Sequence, residues 1–155
     1  LICVAQGVYT VVAIAAVGIC VPPLGLGLAT LIGRKNFSSE EREAGKAALV
    51  MGCVGVTEGA IPFAAADPLR VIPSIMVGSA CGTVTAALFG AQCYAGWGGL
   101  IVLPVVEGKL GYIAAVAVGA VVTAVCVNVL KSLARKKVSQ VDQKEDDLDL
   151  DFEMN

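Results

Sequence analysis

Long apolar runs fill most of this chain, and two short charged blocks divide them. A membrane-spanning helix needs about 20 mainly apolar residues. Gly7 to Gly33 supplies one such run, interrupted at Pro22-Pro23 and ending among the glycines of LGLGLA. The polar segment RKNFSSEEREAGK, Arg34 to Lys46, follows. Ser38 or Ser39 is placed to N-cap a short helix there, with Glu41 and Arg42 close behind. Leu110 to Leu130 is a second spanning run, closed by Lys131, Arg135, Lys136 and Lys137. Between them, Ala47 to Val106 is apolar except for one stretch, GVTEGAIPFAAADPLRVIP. That stretch gathers Glu58, Asp67, Arg70 and three prolines.

Composition sharpens this reading. The chain is 57 % hydrophobic and 15 % charged, against about 45–50 % and about 25 % for soluble domains. The pattern predicts an all-α membrane protein, with polytopic transmembrane helices and a re-entrant hairpin. Residues 1–138 form its membrane part, and 139–155 an acidic, disordered cytoplasmic tail of low hydrophobicity. The chain opens at Leu1 inside an apolar run, with neither initiator Met nor charged leader, and so reads as the C-terminal part of a longer protein. There is no His, and the six cysteines stand singly without a CxxC. This composition excludes a Cys/His zinc site and removes the commonest general base at neutral pH. No metal, cofactor or nucleic acid is expected.

Orientation follows from Lys and Arg. The Arg34–Lys46 block and the cluster after Leu130 carry four each, whereas the connection at Glu107 to Gly111 carries only Lys109. The positive-inside rule places the first two in the cytoplasm. An even number of crossings then separates Lys46 from Lys131. Leu110–Leu130 is one and Val71–Val106 the other, which leaves Ala47–Leu69 as a re-entrant hairpin with both ends cytoplasmic.

Each charge in a spanning helix centre costs about 2.5–3.5 kcal/mol on insertion scales. Backbone broken at proline is tolerated at membrane depth only where protein covers it or water fills a cavity. Broken segments of this kind also form transporter binding sites. Glu58, between Thr57 and Gly59, has the chemistry to accept hydrogen bonds from two adjacent sugar hydroxyls; the alternative is an ion pair with a basic residue upstream. Asp67-Pro68 reads as an N-cap with Pro at the first helical position. Arg70 either pairs with Asp67 or helps that helix N-terminus hold an anion such as a phosphoryl group. Trp97, among Gly96, Gly98 and Gly99, is either an interfacial anchor or a platform stacked on a sugar. Gly78 and Gly82 are a small-xxx-small pair for close helix packing.

GVTEGAIPFAAADPLRVIPS, with VPPLGLGLAT and SSEEREAGKAA before it in order and spacing, closely resembles the fructose-type enzyme IIC. That protein is the membrane permease of the bacterial phosphoenolpyruvate-dependent sugar phosphotransferase system. The similarity covers about Pro22 to Val106. It implies a dimeric, multi-pass protein of the bacterial inner membrane with a cytoplasmic C-terminus, in which residues 1–138 are the C-terminal part of the transport domain. It also implies uptake of a fructose-type sugar while a phosphorylated IIB domain phosphorylates it. GVTE aligns with the GITE-type motif of the wider glucose superfamily, whose Glu contacts sugar hydroxyls, which carries that role onto Glu58. The substrate-binding set is then Thr57, Glu58, Gly59, Asp67, Arg70 and Trp97, with no phosphoryl-carrying residue in this chain. One departure is Gly96-Trp97-Gly98-Gly99, where fructose-type members commonly carry Pro-His-Gly-Gly. It brings a substituted sugar or mannosyl compound in beside fructose. The rival readings are a channel without coupled phosphorylation and a structural membrane subunit.

Overall fold

The computed structural model describes the backbone of residues 2–95 and 98–153; side chains at 4 and from 137 onward are outside it. A short helix α1 (Ile2–Ala5) precedes α2 (Tyr9–Ile32). At about 1.5 Å per residue, the 24 residues of α2 reach about 36 Å, enough to cross a bilayer core of about 30 Å. Pro22 and Pro23 lie inside it and the helix continues through them. They delete two backbone donors without ending the helix, because neighbouring elements bury them on every side.

Helix α3 (Ser39–Val54) starts where the polar segment was expected to nucleate one. Ser38 closes a capping box: its hydroxyl accepts from Glu41 N–H at 3.1 Å, and Glu41 accepts from Ser38 N–H at 2.9 Å. Instead of remaining short, α3 runs on into the apolar sequence to Gly55, which ends it in the left-handed conformation at φ 89°. A 3₁₀ turn over Thr57–Ala60 and the brief α4 (Ile61–Ala66) lead to α5 (Pro68–Leu88). The return brings Phe63 edge-on to Phe37, with ring centroids 6.4 Å apart. Ser38 and Asp67 accordingly line the same cavities.

The helix expected within Val71–Val106 is shorter than that range, since α5 stops at Leu88. A two-residue antiparallel ribbon then pairs β1 (Gln92–Cys93) with β2 (Val106–Glu107), Gln92 opposite Glu107. It closes the base of the connecting segment 94–105. Helix α6 (Lys109–Glu153) completes the chain. The backbone of residues 139–153, expected as a disordered acidic tail, continues this helix, and its side chains lie outside those described. Among the described residues three helices are long and apolar enough to cross a membrane: Tyr9–Ile32, Pro68–Leu88 and Lys109–Lys136.

These three pack through small residues. A Cβ on Gly25 would lie 2.4 Å from Thr123 Cβ, and Asn128 donates to Ala29 O at 3.1 Å, so α2 and α6 run in the same direction. A Cβ on Gly78 would lie 1.8 Å from Thr123 Oγ1 and one on Gly82 3.1 Å from Ala115 O. Helix α5 thus runs opposite to α6, with the two glycines as its contact stripe. The core between them is Ala13, Val17, Cys20, Val21, Ala115, Val116 and Ala120, all buried.

Candidate functional site

The turn that follows α3 holds Thr57, Glu58 and Gly59. The Thr57 hydroxyl donates to Ile19 O at 3.4 Å. In an α-helix that carbonyl would accept from the N–H four residues on, but residue 23 is proline and has none. A carbonyl freed inside α2 is thereby satisfied by the turn. Ile19 lies about 15 Å along α2 from Tyr9, so the turn sits near the middle of that helix. Gly59 packs on α3: a Cβ there would meet Ala48 Cα at 3.0 Å.

A second backbone segment meets the turn from the opposite side. A Cβ on Gly55 would lie 2.0 Å from Gly98 O, and one on Gly99 2.6 Å from Val54 O. Both glycines have positive φ, 89° and 120°, so each position requires glycine for conformation and for space. Gly98 also lies on Ala16 of α2, and the hydroxyl of buried Tyr112 in α6 donates to Gly99 O at 3.2 Å. The Glu58 side chain is exposed beside this junction. Among the described residues it makes no hydrogen bond or ion pair. Trp97 adjoins the junction in sequence but lies outside the described residues.

Asp67 and Arg70 lie elsewhere, at the base of the return. Their side chains pair at 2.8 Å, with Asp67 16 % and Arg70 42 % exposed. The N-cap position and the Pro at N1 are as the sequence indicated, but the Asp67 side chain makes no capping hydrogen bond. It turns to Arg70 instead, which settles the pairing of the two charges. Both residues line a cavity of about 590 Å³ with Lys35, Ser38, Lys131 and Arg135, and a neighbouring one of about 600 Å³ with Glu41 and Phe63. The sequence-derived residues thus divide into a tip (Thr57, Glu58, Gly59) and a base (Asp67, Arg70).

Several participants were missed in the sequence. Lys131, only 9 % exposed, pairs with Glu41 and stands 4.1 Å over the Phe37 ring. It had been counted only as a charge for orientation. Tyr112 and the Ile19 carbonyl were unremarked, although Pro22-Pro23 was the signal that backbone acceptors would be freed. At the ribbon, Tyr94 donates to Glu107 Oε2 at 2.8 Å, and that carboxylate holds the phenol above its usual range.

The helices, three of them among the described residues long and apolar enough to cross a bilayer, define an all-α membrane protein. The chain belongs to the fructose-type IIC permeases. It is 92 % identical over its whole length to the "Fructose-like permease IIC component 2" of Escherichia coli, of which it covers 43 %. It is 48 % identical over 128 residues, 81 % of this chain, to the "PTS system fructose-specific EIIB'BC component" of Vibrio cholerae, covering 22 % of that protein. It is also 44 % identical over 117 residues, 76 % of this chain, to the "Fructose permease IIC component" of Bacillus amyloliquefaciens, covering 38 % of it. The chain therefore spans less than half the length of these relatives. No family model and no solved structure matches it.

Proposed function

We propose that this chain is the sugar-binding part of a phosphotransferase-system permease, which translocates a fructose-type sugar while a phosphorylated IIB domain phosphorylates it. One observation carries the reading: the Glu58 carboxylate, unpaired among the described residues, stands on a turn beside the middle of α2, where two backbone segments meet. A carboxylate at that depth is costly without a partner, and a polyhydroxylated ligand supplies one through charge-assisted hydrogen bonds. In this reading residues 47–69 form a re-entrant hairpin with Glu58 at its tip. Thr57 and Gly59 shape that tip, Trp97 stacks on the sugar ring, and Asp67 and Arg70 mark its cytoplasmic mouth.

The partner follows from related names and from charge. Relatives named EIIB'BC and EIIABC components support a IIB domain acting with a C part. The basic rim of Lys35, Arg70, Lys131 and Arg135 supports a cytoplasmic, anion-facing mouth beside the C-terminal end of α6. The protein would reside in the bacterial inner membrane, as a homodimer, with the acidic tail solvated in the cytoplasm. The test is phosphorylation-coupled uptake by the intact permease in vesicles holding phosphorylated IIB, across fructose, mannosyl and substituted sugars. Coupled uptake of a sugar from that panel is expected; downhill flux without phosphorylation would establish a channel instead.

A further inference from the structure

The junction beside Glu58 is made of backbone against backbone, and such a contact has little to hold it. Gly55 meets Gly98 and Gly99 through atoms that no side chain separates. Among the described residues, segment 94–105 is fastened at its base by two residue pairs of β-ribbon and by the Tyr94–Glu107 hydrogen bond. At its inner end, Gly99 O receives the hydroxyl of Tyr112 at 3.2 Å. Tyr112 is fully buried on α6, and its oxygen also lies 3.8 Å from Cys20 Sγ of α2. The α6 helix thus reaches the innermost part of the segment that abuts the Glu58 turn.

Resting on the proposed sugar site, we propose that Tyr112 is a positioning residue for it. Its hydroxyl holds the Gly98–Gly99 backbone against Val54–Gly55 and so fixes where the Glu58 carboxylate points. The ring fills the core between α2 and α6, and the hydroxyl sets the junction. These two roles separate in Tyr112→Phe, which keeps the ring and deletes only the donor. Without it Gly99 O loses its hydroxyl donor, and the segment shifts to find another partner. The sugar site loses its alignment while the helix packing persists.

The test is coupled uptake and direct sugar binding by the intact permease with phosphorylated IIB, comparing wild type, Tyr112→Phe, Glu58→Gln and the double variant. Tyr112→Phe should raise KM about three- to tenfold, the range of one lost hydrogen bond, with kcat and the amount of protein in the membrane little changed. The double variant should bind no more weakly than Glu58→Gln alone, because both changes act through one carboxylate. An unchanged KM, or losses that add, would overturn the inference. If Glu58→Gln itself binds as wild type does, the sugar-site reading falls and takes this inference with it. Should Tyr112→Phe fail to accumulate, Gly98→Ala carries the test, since its methyl presses on Ala16 at 3.1 Å and shifts the same segment without the positive-φ strain of position 99. A normal KM in that variant would equally overturn the inference.

Discussion

The Thr57 hydroxyl donates to the carbonyl of Ile19, the acceptor that Pro23 leaves without its helical donor. A proline inside a spanning helix and a threonine on a distant turn are therefore complementary. The bond tethers the turn carrying Glu58 to the middle of α2. Thr57→Ser keeps the hydroxyl and should support near-normal sugar affinity. Thr57→Val, similar in shape but without the donor, should lose about 0.5–1.5 kcal/mol of tethering, roughly two- to tenfold in affinity. Sugar binding to the two purified variants checks this, and equal affinities would remove the tether from the account.

Topology is open to labelling. With the six native cysteines replaced, single cysteines at Arg42 and at Arg70 should both react with a membrane-impermeant thiol reagent from the cytoplasmic face alone. Labelling of the two from opposite faces would mean that 47–69 crosses the membrane completely.

Lys131 and Glu41 join α6 to the start of α3 with little solvent access, at 8 % and 16 % side-chain exposure. Removing one member leaves the other charge buried without its partner. Lys131→Met should therefore destabilise the protein by about 1–3 kcal/mol, and Lys131→Met with Glu41→Leu should recover much of that loss. The Asp67–Arg70 pair is more exposed, and its loss should cost below about 1 kcal/mol. Thermal unfolding in detergent separates the two pairs.

Tyr94 supplies a pH dependence outside the spanning helices. Its neutral phenol donates to Glu107, which raises its pKa in the folded state. The stabilisation is then fully present below the ordinary tyrosine range and is lost as pH rises through the raised value. Tyrosinate absorbance should show the Tyr94 phenol titrating late in wild type, and Glu107→Gln should return one group towards the ordinary range.

The spanning runs, an N-cap at Ser38 or Ser39 and the Gly78–Gly82 stripe were legible because each depends on residues near in sequence, or on burial that composition reveals. The length of α3 was not: a polar start and an apolar continuation read as two elements, although one helix carries both. Pro22-Pro23 read as an interruption because local chemistry disfavours proline there, and tertiary neighbours override that preference. The charged motif was visible as a unit, but its division into tip and base was hidden. Asp67 and Arg70 are only nine and twelve positions beyond Glu58 in sequence, and the chain's return places them beside Ser38 and Lys131 instead. Tyr112 gave no signal, since an aromatic residue on an apolar helix ordinarily serves as packing.

The central claim is that the Glu58 carboxylate grips the sugar. Glu58→Gln keeps the size and one acceptor oxygen, removes the charge, and should insert normally, because a neutral side chain is better tolerated at that depth. Charge-assisted hydrogen bonds are worth about 1.5–3 kcal/mol, so the affinity should fall by roughly ten- to a hundredfold. Equilibrium sugar binding to purified wild-type and Glu58→Gln permease measures this directly. A fall of that size is the predicted result, and equal affinities would contradict the account.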